Sequence, residues 1–159
     1  VQQRIIRTFK STVTLGANQT LYSANDVITD VDGLISFWDL SNELINTSCT
    51  IMSLRVQTTD ATGLAGKNLC FHIFNNTVDV IADNAPFVLS DDSEAHREGT
   101  ITTTIGTGSL AKEGQNNYEN IVLNPANGKI YFMVEDVDGH TPSADSTIIY
   151  CYIKVELGN

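Results

Sequence analysis

The chain has no apolar run approaching the ~20 residues a membrane-spanning helix needs, and no segment beyond about ten residues keeps a helical period of apolar positions. A membrane partner and a helical bundle are both disfavoured. Cysteine is scarce: Cys49, Cys70 and Cys151 are an odd number, widely spaced, with no C-x-x-C pair. Set beside Ile51, Phe71, Tyr150 and Tyr152, they read as small buried hydrophobes of a reducing compartment. One bridge between adjacent strands is the alternative. No histidine stands three to five residues from a cysteine or another histidine, so zinc-ligand spacing is missing, and neither metal nor cofactor is expected. The hydrolase signatures G-x-S-x-G and H-E-x-x-H are absent. Basic residues are few: 9 Lys and Arg against 19 Asp and Glu leave a net charge of −10, which repels nucleic acid and anionic membranes at long range.

What the chain does have is strand chemistry. At 159 residues it fits one domain, able to bury roughly 70% of its unfolded surface, and Thr, Asn, Val and Ile favour strands and turns. Period-two alternation predicts strands near Arg4–Lys10, Thr12–Leu15, Leu34–Leu40, Thr50–Thr58, Asn68–Asn75, Thr100–Ile105, Asn120–Leu123, Lys129–Glu135 and Thr147–Leu157. In the Thr50–Thr58 strand, Met52, Leu54 and Val56 form the expected core face, with Ser53, Arg55 and Gln57 opposite. The last strand sets Ile149, Cys151, Ile153, Val155 and Leu157 on one face. Ile148, Tyr150 and Tyr152 make its other face apolar as well, as expected mid-sandwich or at a subunit contact. Asp32-Gly33, Asn127-Gly128 and Asp138-Gly139 mark turns, with a two-residue hairpin expected at Asn127-Gly128. One short helix is predicted over Asp91–Arg97, capped by Ser90 or Asp91 and stopped by Gly99. These elements predict an all-β, two-sheet antiparallel jelly-roll sandwich, with a closed barrel as the alternative.

Charge divides the chain unevenly. Residues 1–25 hold Arg4, Arg7 and Lys10 and no acid, giving +3, so residues 26–159 carry 6 − 19 = −13. Residues 1–20 accordingly read as a basic arm or strand, and residues 21–159 as a single sandwich domain. Arg4, Ile5, Ile6, Arg7, Phe9 and Lys10 are the arm's candidate contact residues, alongside Ile148, Tyr150 and Tyr152. An edge strand made soluble by three cations is the plainer reading.

No constellation carries obvious catalysis. His72 shares a strand face with Cys70 and Phe74, as an interior or interface histidine would, while His96 and His140 read as loop residues. The sequences Asp30-Val31-Asp32-Gly33 and Asp136-Val137-Asp138-Gly139 are oxygen-rich, yet neither continues into a calcium loop, so they read as solvated turns. Phe37, Phe71 and Phe132 are expected in the core. A sugar-binding platform would require Trp38 or Tyr118 to be exposed.

Four segments also carry a family resemblance: Tyr22-Ser23-Ala24-Asn25-Asp26-Val27-Ile28, Gly33-Leu34-Ile35-Ser36-Phe37, Leu69-Cys70-Phe71-His72-Ile73-Phe74 and Asp83-Asn84-Ala85-Pro86-Phe87. Together, from about Tyr22 to Val155, the chain resembles the small all-β capsid decoration, or cement, proteins of tailed bacteriophages. The resemblance implies a non-enzymatic protein on the capsid exterior, bound to the major capsid protein and to itself, as a homotrimer. A carbohydrate-binding module or head-fibre adhesin is the alternative.

Overall fold

The computed structural model describes residues 4–17, 20–43, 48–60, 62–107 and 112–158, and their side chains except those of 112–120. Among these residues nine strands form, in the order β1 (Ile5–Thr14), β2 (Asp26–Ile28), β3 (Ser36–Asp39), β4 (Cys49–Thr58), β5 (Asn68–Phe74), β6 (Arg97–Thr104), β7 (Lys112–Leu123), β8 (Lys129–Asp136) and β9 (Ile148–Leu157). One sheet runs β1-β9-β4-β7. The other runs β2-β8-β5-β6, with β3 also on β8. All pairings are antiparallel, and one set of them nests: β5 with β6, β4 with β7, β2 and β3 with β8, β1 with β9, while β4–β9 and β5–β8 join these pairs into the two sheets. A long hairpin rolled up on itself produces this order, so the fold is a jelly-roll sandwich.

The inner faces follow the alternation of the sequence. Ile149, Cys151, Ile153 and Val155 of β9 are fully buried, and they meet Phe71, Ile73, Ile130 and Phe132 of the opposing sheet. Trp38 crosses the gap: its indole stacks on Phe132 at 4.0 Å, and its Nε1–H donates to the Cys151 carbonyl at 3.0 Å. A buried indole needs such a partner, and here the partner belongs to the other sheet. Cys49, Cys70 and Cys151 are free thiols. Burial pushes Cys49 up to about 12 and raises Cys151 as well.

Several local expectations are corrected. The first two predicted strands are one, β1, paired with β9 at ten consecutive positions, so half of the expected basic arm is the outermost strand of a sheet. A bulge between Ile51 and Ser53 breaks the alternation of β4. Ile51 takes the core position there, and Met52 is only half-buried. β2 is three residues long and was not expected. Asn127-Gly128 is no hairpin: it closes a short 3-10 turn, Ala126–Gly128, joining β7 and β8, which lie in different sheets. The helix α1 covers only Asp91–Glu94 and is capped by Ser90, whose side chain accepts from the Ser93 N–H; Arg97 already begins β6. Phe37, expected in the core, is 37% exposed beneath Lys129. Among the described residues, no helix is long and apolar enough to cross a membrane.

Candidate functional site

β9 lies between β1 and β4, so its outward side chains have neighbours on both sides. Register places Tyr152 between Lys10 and Arg55, and Tyr150 between Thr12 and Gln57. The Lys10 ammonium stands 4.5 Å from the Tyr150 ring centre and 5.8 Å from that of Tyr152, while the Arg55 guanidinium lies 4.2 Å from the Tyr152 centre. These are cation–π distances, with the negative ring faces turned to the cations. Lys154 extends the row, opposite Thr8 and Ser53. Arg4 closes it, bonded to Glu156 at 3.2 Å. Four of the chain's nine cations thus share the outward face of this sheet, and Glu156 is the one acid that β1, β4 and β9 present there. In a chain of net charge −10, the part of that face built by β1, β9 and β4 is locally positive.

The nine expected contact residues separate into two sets. Arg4, Ile6, Lys10, Ile148, Tyr150 and Tyr152 belong to the outward face. Ile5, Arg7 and Phe9 follow the inward parity of β1: Phe9 packs against the core, Ile5 opposes buried Leu157, and Arg7 reaches Glu43 at 3.7 Å at the sandwich rim. Arg55 was not among the expected residues. Its outward direction was legible, but its place beside Tyr152 depends on a pairing that spans most of the chain.

The outer face of the second sheet is covered. Residues 75–96, between β5 and β6, fold back so that 84–87 run beside β2, held by Val27 N–H to the Ala85 carbonyl at 2.8 Å, Phe87 N–H to the Asn25 carbonyl at 2.8 Å and a bridge between Asp26 and Pro86. Tyr22 hydroxyl and Thr29 N–H both donate to Asp83 at 2.9 Å. The Phe87 ring stacks on His72 at 3.8 Å. Cys70, His72 and Phe74 of β5 therefore face protein where solvent was available: Phe74 is fully buried and His72 is 5% exposed. His72 Nε2 lies 2.6 Å from Glu135 of β8, and its Nδ1 lies 3.3 Å from Arg97, which also pairs with Glu94 at 2.5 Å. Burial lowers the affinity of His72 for a proton, against the pull of Glu135. Burial also raises the Cys70 thiol, against a hydrogen bond with Thr102. Cys70, His72 and Glu135 each offer one donor atom, and these atoms all lie within 4.8 Å of one another. Alternate residues of a strand share a face, so Cys70 and His72 come together from only two residues apart, closer than the zinc-ligand spacing that is missing from the sequence.

The acid clusters prove structural. Asp30 accepts from Thr14 and Asp32 N–H, and Gly33 at φ 70° completes that turn. Asp136 and His140, expected in a solvated turn, are instead fully enclosed. His140 stacks on Tyr22 at 5.0 Å, and its Nδ1 lies 2.5 Å from Asp136, which also accepts from Gly139 N–H. Its Nε2 has no hydrogen-bond partner and sits 3.9 Å from Asp60, which in turn accepts from Gly63 N–H and the Ser143 hydroxyl. With no exposed surface on either acid, this group ties three loops together and offers no opening to a substrate. Trp38 is fully buried, and the side chain of Tyr118 falls outside the described residues.

No family model matches the chain, and no curated protein matches it. Among solved structures it is similar to vertex protein P5 of PRD1 (9% identity, 96% of each chain, TM-score 0.40), to a chain of the cyanophage Pam1 capsid (8% identity, 98% of this chain and 86% of that one, TM-score 0.41) and to a chain of the Kashmir bee virus particle (12% identity, 100% and 93%, TM-score 0.42). At such identities and scores the likeness is one of strand arrangement and says nothing of what this chain binds.

Proposed function

We propose that this chain is a structural virion protein: a jelly-roll decoration protein that binds the outer surface of a phage capsid, stabilises the shell and assembles as a homotrimer. The observation that carries the reading is the row Lys10, Tyr150, Tyr152 and Arg55 on an open sheet face. Aromatic residues and arginine are the side chains that dominate protein interfaces, and a positive face on an acidic protein selects an acidic partner. The jelly-roll order of the strands and the sequence resemblance to phage decoration proteins support the same reading. No active site is needed, because shell stabilisation is performed by surface buried at contacts, and three linked copies add effective concentration to each modest contact.

A cyclic trimer has heterologous interfaces, so the positive face of one copy meets a different surface of the next. The −13 carried by residues 26–159 supplies the complement. At the edge of that face, the outermost strand β1 turns Arg4, Ile6 and Lys10 to the major capsid protein, leaving Arg55 and Lys154 for the neighbouring copy. The glycan-binding alternative needs an exposed Trp38 or Tyr118: Trp38 is buried, the side chain of Tyr118 lies outside the described residues, and Lys10 and Arg55 already lie against the outward tyrosine rings.

Deleting residues 2–10 is a poor test, because it removes Ile5–Lys10, more than half of β1. Point variants separate fold from binding. Lys10→Glu combined with Arg4→Glu should abolish binding to shells stripped of this protein while leaving the circular dichroism spectrum unchanged. Undiminished occupancy by the folded variant overturns the capsid contact. Light scattering of the unmodified protein tests the trimer, and a monomeric mass at all concentrations would overturn that part.

A further inference from the structure

We propose that Cys70, His72 and Glu135 form a binding site for a borderline transition-metal ion, with zinc as the ion their donors fit best. The donors are a thiolate, an imidazole nitrogen and a carboxylate, the set that zinc takes in four-coordinate sites. Their placement is rigid. β5 is bonded to β6 on one side and β8 on the other, and Cys70 and Glu135 are direct partners in the β5–β8 register. Bond lengths of about 2.0–2.3 Å around a tetrahedral zinc ion require neighbouring donors to be separated by a little less than twice that length. Donor atoms already grouped within 4.8 Å of one another stand close to that separation.

The surroundings also suit an ion. Phe87 stacks on His72, and buried Phe74 and Met133 sit on the same face, so the site is secluded while Glu135 keeps 15% of its side chain exposed as a way in. A thiolate and a carboxylate neutralise a divalent charge, leaving the fourth position to water.

The tautomer decides how the free and loaded forms differ. In the free protein Arg97 donates to Nδ1, so the imidazole proton sits on Nε2 and is shared with Glu135. Metal binding at Nε2 moves that proton to Nδ1 and releases the thiol proton of Cys70 to solvent. Arg97 must then turn away, because two donors cannot share one bond. Arg97 thus opposes the ion, through both its charge and its N–H. The site lies on the sheet opposite the positive face, so its success or failure is independent of the capsid reading.

Cobalt titration of the metal-free full-length protein tests the proposal. One equivalent should bind, with a thiolate-to-cobalt charge-transfer band and the intense visible bands of a tetrahedral ion, and zinc should displace it. Cys70→Ser should remove the charge-transfer band. Glu135→Gln should weaken binding by at least the tenfold or so typical of a lost supporting group, and Arg97→Gln, whose side-chain oxygen can accept from Nδ1–H, should tighten it. No saturable binding, or an unchanged charge-transfer band in folded Cys70→Ser, overturns the site. Weaker binding in Arg97→Gln overturns the assigned tautomer exchange.

Discussion

On the outer face of the β1-β9-β4-β7 sheet, Tyr150 and Tyr152 stay half-exposed under Lys10 and Arg55. At the matching positions of the other sheet, His72 and Phe74 lie beneath residues 75–96 and Cys70 is half-buried. Both sheets place apolar and aromatic side chains on their outward faces, so composition alone does not distinguish them. The difference comes from connectivity: the loop at the hairpin apex is long enough to fold back over its own sheet, and no described loop covers β9. Aromatic residues facing outward become core where the chain returns to cover them, and contact surface where it does not.

The largest effect expected from this contrast is in stability. Phe74→Ala on the covered face should cost about 3–5 kcal/mol, read as a lower urea midpoint, whereas Tyr150→Ala on the open face should cost about 1 kcal/mol or less. Equal losses would mean that the two faces are equally packed. The anchor of the covering segment adds a dependence on pH. Burial first, and then the charge of Asp83, raise the Tyr22 hydroxyl well above its ordinary value. The folded state therefore holds a proton that the unfolded chain releases above pH ~10, and stability contributed by that group is complete below this pH and falls above it, by up to about 1.4 kcal/mol per pH unit. Denaturant midpoints measured from pH 8 to about 11 check the sign, and a rise would refute it.

Uncovering the sheet is a finer test. Phe87→Ala should cost about 0.5–1.5 kcal/mol and speed the reaction of Cys70 with a thiol reagent, leaving Cys49 and Cys151 protected. An unchanged Cys70 rate would show that Phe87 is not the cover. The smallest expected change in stability, within about 0.5 kcal/mol, belongs to Lys10→Glu. A loss larger than that in thermal denaturation would mean that the cation–π row holds the sheet together instead of serving a partner.

The sequence made the sandwich legible because β9, β5 and β8 alternate or run apolar over their full length. β2 escaped notice because three residues cannot display a period. Most of β7 did so because Lys112–Asn120 is polar apart from Gly114 and Tyr118, with no apolar face to read. Asn127-Gly128 was legible as a turn, yet a turn does not reveal which sheet the chain enters next. The candidate face was half legible: Tyr150 and Tyr152 stood out as apolar residues on the second face of a strand whose first face was already core. Arg55 beside Tyr152, and Glu135 beside Cys70 and His72, follow from strand register, which is set by pairings across the whole chain and leaves no mark in local spacing.

The nested pairing also bears on how the molecule is made. Its innermost pair, β5 with β6, closes a loop of 22 residues, while β1 with β9 joins the two ends of the described chain. Loop closure costs more for the longer span, and chains dominated by distant pairings fold slowly. Closure from the apex outward leaves β1 to dock last. Until it does, the backbone of β9 stays unpaired on that side, so the strand that completes the sandwich is also the one a neighbouring copy could supply during synthesis at high concentration.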